Sequence, residues 1–218
     1  MRRVVFHRTL ALGFGALVVW SRSTDLVAKS VNPLLFGSRE VRSANLKPFP
    51  KWTGALDRYF DELEVPEGSC RETFFTTCYL KDWRNFLEPL RGADPVSQLK
   101  EVNRYMNRAP YIDDPRNYMV PDYWATPRQF MDRYGDCEDY AIAKYMSLRA
   151  LGWSNDELRI LVLQDLNLQV AHAVLVAYSG GEAWILDNQI EQVIAHSSIR
   201  HYKPIFSVNE DNWWLHRP

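Results

Sequence analysis

The chain has 218 residues, 46% hydrophobic and 13% aromatic, which is ample for one sizeable core. Its 26 basic and 27 acidic residues nearly cancel, with no basic stripe and no long run of one sign. That balance argues against a nucleic-acid partner and against a charged disordered tail.

The N-terminal stretch MRRVVFHRTLALGFGALVVWSRS places Arg2, Arg3 and Arg8 before an apolar run from Leu10 to Trp20. The run falls short of the ~20 residues that span a bilayer, and suits the apolar region of a signal peptide. Residues 1–28 are therefore read as an export signal. No clear small-residue cleavage signature follows, so the cleavage site stays open, with Ala28 as one position for the cut. Residues 29–218 are expected to form a single domain. Cys70 and Cys78, in CRETFFTTC, are close enough to close a small loop in an oxidising compartment; two unrelated buried thiols are the open alternative.

Residues 29–50 are punctuated by proline and read as irregular. Helical spacing then dominates from Trp52 to Leu90, and a further amphipathic helix runs from Pro95 through Leu99, Val102, Tyr105 and Met106. The segment APYIDDPRNYMVPDYWATP reads as a structured surface loop. In RYGDCEDYAIAKYMSLRALGW (Arg133 to Trp153), Gly135 and Asp136 supply a turn and an N-cap, and Asp139 stands at the third helical position. Ala141, Ile142, Tyr145, Leu148 and Leu151 form an apolar stripe that Gly152 ends.

Beyond Gly152 the period changes to two, which predicts strands over 158–164, 171–178 and 182–188. The last two are joined by Ser179-Gly180-Gly181, a hairpin loop. A Ser179-Gly180 loop would set His172 opposite Asp187; a Gly180-Gly181 loop would make them diagonal neighbours on one face. The C-terminal NEDNWWLHRP is expected to pack back on the sheet. Trp153, Trp213 and Trp214 look exposed enough to serve a partner, although a tryptophan is more often core. The fold class is α+β: a helical lobe over about 50–152 and an antiparallel sheet lobe over about 153–218.

The chemistry centres on Cys137. It is flanked by Asp136 and Glu138, with Asp139 next, and carboxylates raise the cost of a thiolate. The helix N-terminus works the other way, because its free N–H groups and dipole favour a negative sulfur. Cysteine at a helix start, His172 on a strand and Asp187 on the paired strand make the set that thiol catalysis needs. His172 would take the thiol proton, Asp187 would orient the imidazole, and N–H groups at the helix start would stabilise an oxyanion. Asn188 is the next orienting residue if the register fails. A structural zinc site fits poorly, since Cys70 and Cys78 lack a nearby histidine and the close spacing of zinc ligands. From the residues alone, Asp136 and Glu138 are equally cap-and-surface acids or cation ligands.

Three segments, YGDCEDYAIAKYMSLRALG, AHAVLVAY and WILDNQ, resemble those of the bacterial transglutaminase-like cysteine peptidases. The resemblance extends over about Val31 to Trp214 and is most specific at D-C-E-D. It implies a papain-like fold, with Cys137 as nucleophile, His172 as general base and acid, and Asp187 as orienting residue. It also implies calcium beside the nucleophile, held by Asp136 and Glu138, with Asp139 a weaker ligand because capping already accounts for it. It further implies a periplasmic endopeptidase that cuts a large surface adhesin near its N-terminus and answers to a LapD-like inner-membrane receptor for cyclic di-GMP. Two other readings remain: a different acyl-transfer enzyme of this fold (amidase or crosslinker), and a catalytically silent calcium-dependent binding module.

Overall fold

The computed structural model describes residues 32–64 and 79–218. The export signal and the Cys70–Cys78 pair lie outside the described residues. No helix among the described residues is long and apolar enough to cross a membrane.

The helices are α1 (Pro50–Glu64), α2 (Tyr79–Leu87), α3 (Pro95–Met106), α4 (Asp114–Asn117), α5 (Pro127–Arg133) and α6 (Cys137–Ala150). The strands are β1 (Arg39–Ser43), β2 (Leu158–Asp165), β3 (Val170–Ser179), β4 (Glu182–Leu186), β5 (Ile194–Ala195), β6 (Tyr202–Val208) and β7 (Trp213–Arg217). They form one sheet in the order β1-β7-β6-β2-β3-β4-β5, every neighbouring pair antiparallel. This is the α+β arrangement that the change of period predicts.

α6 is the pivot. From Asp139 to Leu148 every residue is buried, because the helix packs on β2 and β3 while α3 and α5 close its other sides. Leu158, Ile160, Leu175 and Ala177 meet it from the sheet. Its end is a Schellman motif: Trp153 N–H donates to Leu148 O and Gly152 N–H to Arg149 O, with Gly152 at φ 101°. The same turn carries Trp153 inward, where its indole N–H donates to Gln98 Oε1 at 2.7 Å. Trp153 and Trp214 are buried and Trp213 is half-buried, so the first two rings offer little surface to a partner.

The β3–β4 loop is Gly180-Gly181, with φ 63° and 79°, the left-handed values that a two-residue hairpin turn demands of both residues. Ser179 faces Glu182 and Leu175 faces Leu186. Asp187, one residue beyond β4, is thereby diagonal to His172 on the same face, the second of the two expected registers.

Four strands, β1, β5, β6 and β7, lie outside the three that the sequence pattern predicts. β1 lies in the stretch read as irregular; it is short, polar and at the edge, and it is pinned by side chains instead of apolar alternation. Arg159 Nη1 holds Glu40 Oε2 at 2.7 Å, and Ser38 Oγ lies 2.8 Å from His216 Nδ1. β6 contains Pro204, tolerated where the pairing with β2 shifts register between Val162 and Leu163.

Candidate active site

Thr126 opens α5 with a capping box to Gln129, and Tyr134, at φ 62°, turns the chain out of it. Gly135 follows because nothing larger fits: a Cβ there would lie 2.0 Å from Asp139 Oδ2. That oxygen accepts the Asp136 N–H at 3.3 Å, and Asp139 Oδ1 accepts the Ala125 N–H at 2.6 Å. Asp139 therefore fastens the first turn of α6 to the loop before α5. Gly135→Ala is expected to cost about 1–3 kcal/mol of stability by forcing these atoms apart, read as a lower denaturation midpoint at unchanged slope.

Cys137 is the first residue of α6, partly buried. Its thiol donates to Glu138 Oε2 at 3.2 Å, and the Ala173 N–H, next to His172 on β3, points at the sulfur. Burial, then the charge and hydrogen bond of Glu138, push the thiol far above its ordinary range. The thiol thus stays protonated, with Glu138 accepting its hydrogen bond, and the helix N-terminus alone does not overcome the acids.

His172 is buried on β3, and its Nε2 lies 2.9 Å from Asp187 Oδ1. The same oxygen accepts the Gln189 N–H at 2.8 Å, and Asp187 Oδ2 accepts the Tyr202 hydroxyl at 2.6 Å. Burial pushes the Asp187 carboxyl up, but the hydrogen bond and charge of His172, with Tyr202 and Gln189, hold it below its ordinary value. An ionised Asp187 at Nε2 fixes the tautomer: Nε2 carries the proton and Nδ1 is left to act as a base. Asn107 Nδ2 fixes the backbone of the same residue, donating to Asp187 O at 2.8 Å. Asn188 takes no part in this pair.

The acids form a cluster larger than the sequence suggests. Asp114, Asp122 and Glu138 bring oxygens within 4.8 Å of one another, as do Asp114, Asp136 and Asp139. Burial, a shared hydrogen bond and Asp136 raise Glu138 to about 9, and burial raises Asp114 to about 6. Asp136 and Asp139 are raised by burial as well. Asp114 Oδ1 and Asp136 Oδ1 are buried without a hydrogen-bond partner. An all-oxygen donor set with orphaned buried carboxylate atoms fits a hard cation, whereas the neighbouring sulfur does not. Asp114 and Asp122 escape sequence reasoning because their loop reads only as turn residues. Tyr202 is missed with its strand.

A cysteine at the start of a core helix, beside an antiparallel sheet that carries a buried His–Asp pair, defines the transglutaminase-like class of cysteine peptidase folds. Residues 76–216 match the family model described as bacterial transglutaminase-like cysteine proteinase, and the chain belongs to that family. Among solved structures it is similar to Legionella pneumophila LapG, with 38% identity over 63% of this chain and 77% of that one, at a TM-score of 0.57. Against the calcium-bound form of LapG the identity is 32% over 74% and 87% of the two chains, at a TM-score of 0.59. The EGTA-treated form gives 36% identity over 64% and 77%, also at 0.59. None of the curated proteins matches the chain.

Proposed function

We propose that the protein is an exported, periplasmic, calcium-dependent cysteine endopeptidase that cuts a large surface adhesin near its N-terminus and so releases it from the cell. The observation that carries the hydrolytic reading is the buried His172–Asp187 pair, held by Tyr202 and Asn107, on the strand whose Ala173 N–H reaches the Cys137 sulfur. In this reading Nδ1 of His172 takes the Cys137 proton and the thiolate attacks the scissile carbonyl carbon. N–H groups of the first turn of α6 stabilise the oxyanion. His172 then passes the proton to the leaving amine nitrogen as the C–N bond breaks. Water, giving a proton to His172 Nδ1, then attacks the thioester carbon; the C–S bond breaks, the acid product leaves, and the proton on Nδ1 returns to the sulfur to restore the thiol.

Asp136 and Glu138, with Asp114 and Asp122 beside them, are the residues that would hold calcium. Asp139 is better spent tying the loop, since both its oxygens already accept N–H groups. Bound calcium would offset the carboxylate charge next to the sulfur. The calcium-bound LapG structure among the matches supports this choice of ion. A LapD-like inner-membrane receptor for cyclic di-GMP is the partner proposed to control access to the adhesin.

The direct test incubates purified protein and calcium with the N-terminal region of a repetitive adhesin encoded in the same genome. The expected result is one new N-terminus by mass spectrometry, blocked by a thiol-directed reagent that labels Cys137. An adhesin left intact by a protein whose Cys137 resists labelling would sink the endopeptidase reading.

A further inference from the structure

The face of the sheet turned away from α6 carries a second core, in which Leu161, Leu163, Val174, Val176 and Tyr202 meet. The chain just before β1 closes part of it. In the turn Leu35–Gly37, Leu35 is fully buried in that core and Phe36 packs half-buried against it. The Ser38 N–H and hydroxyl both donate to Leu35 O, at 2.9 and 2.7 Å. Phe36 takes φ 52° and ψ 32°, a left-handed conformation that a bulky residue enters only at a cost. A turn that served only to seat Leu35 would carry glycine there without strain. Phe36 is instead held in place. Its N–H donates to His196 Nδ1 at 3.1 Å, and its ring meets the His196 ring edge-on, with centroids 5.4 Å apart.

The ring so placed faces Tyr202, at 6.2 Å between centroids and 62° between planes. Tyr202 in turn meets the His172 ring at 6.0 Å and the His201 ring at 4.6 Å, and its hydroxyl donates to Asp187 Oδ2. Asp187 Oδ1 is engaged by His172 Nε2 and the Gln189 N–H, so the Tyr202 bond to Oδ2 keeps the carboxylate from turning about its Cβ–Cγ bond. We propose that Phe36 is a positioning residue for the His172–Asp187 pair, acting through the ring of Tyr202. Without the Phe36 ring, Tyr202 tilts toward the space it leaves and its hydroxyl is drawn off Oδ2. The carboxylate then rotates, and His172 loses both its fixed orientation and its single tautomer.

The effect on turnover rests on the peptidase reading, but the ordering of the pair does not, so the experiment reads both. In protein labelled with ¹⁵N-histidine, the ring nitrogens of His172 are assigned by their loss in His172→Gln and read by NMR at pH 9. The wild type is expected to show the separate shifts of a protonated Nε2 and a bare Nδ1. In Phe36→Ala, as in Tyr202→Phe, the two shifts are expected to approach each other as the second tautomer fills. On the adhesin fragment, Tyr202→Phe is expected to lower kcat about tenfold and Phe36→Ala about three- to tenfold, with KM within about twofold. With the Tyr202 hydroxyl already gone, Phe36→Ala is expected to lower kcat by less than about twofold further. A ring that merely filled the core would cost the same in either background. Should Phe36→Ala fail to fold, Phe36→Leu, which keeps apolar bulk but offers Tyr202 no ring, takes its place in both readings. Ring-nitrogen shifts unchanged in the folded Phe36 variant, or an equal kcat loss with and without the Tyr202 hydroxyl, overturn the proposal. A protein that cleaves nothing but shows the mixed tautomers supports it and removes only the peptidase reading.

Discussion

Cys137→Ser is expected to lower cleavage of an adhesin fragment by a factor on the order of 10⁴ or more while the fold survives. The size follows from chemistry: a hydroxyl at this position must lose a far less acidic proton than a thiol does, and the alkoxide is the poorer leaving group when the intermediate collapses. Survival of the fold follows from position. Cys137 is only partly buried at a helix start, and serine is close to it in size, so stability should change by about 1 kcal/mol or less. The serine can still donate to Glu138, which keeps the first turn of α6 in place. Cleavage by a folded Cys137→Ser protein within tenfold of the wild type would transfer the chemistry to another group and remove the thiol mechanism.

Periodicity and turn chemistry made the parts nearest this site legible in the sequence. The Asp136–Asp139 caps, the Gly152 stop and the Gly180-Gly181 loop are local signals, and each is set by the few residues around it. Together they place Cys137 at a helix start and His172 and Asp187 on one sheet face. What stayed hidden depends on distant parts of the chain. β1 owes its place to Arg159, 119 residues away, and Asp114 joins the acids because Asp139 and Gly135 draw its loop against α6. A lysine on an amphipathic helix ordinarily carries its charge to the surface, and only packing on all sides marks Lys144 as buried. Trp153 and Trp214 are buried, the commoner place for a tryptophan that the sequence reading had kept open.

Chelating calcium is expected to stop cleavage and to reverse the dependence of stability on pH. Without a cation, Asp114 and Glu138 are raised to about 6 and about 9, and Asp136 and Asp139 are raised by burial too. An acid raised on folding contributes stability below its unfolded pKa, and that contribution is lost as pH climbs through the folded one. Relative to the calcium-bound protein, the cation-free protein should therefore lose stability from pH 5 to pH 9; Lys144 and His216, lowered by burial to about 7 and about 4, push the other way in both forms and cancel from the comparison. Asp187 has the opposite sign: held low, it stabilises above the ordinary carboxylate range and fails only in acid, below this window. Calcium needs ionised oxygens, so its stabilisation grows as pH rises. At a hundred times its dissociation constant it should add about 2.7 kcal/mol, or roughly 5–10 °C for a chain of this size. Asp136→Asn and Glu138→Gln should mimic the chelator on activity with Cys137 intact, and Glu138→Gln should flatten the cation-free slope by removing one of the raised acids. Magnesium should restore little, because it keeps its waters and demands tighter octahedral geometry. If the acids were caps alone, losing one would cost ~1 kcal/mol, and calcium would change nothing. Thermal melts at pH 5, 7 and 9, with EGTA or calcium, separate the two. Parallel slopes in both, with full cleavage in EGTA, would leave the thiol with its acid neighbours and no cation to offset them.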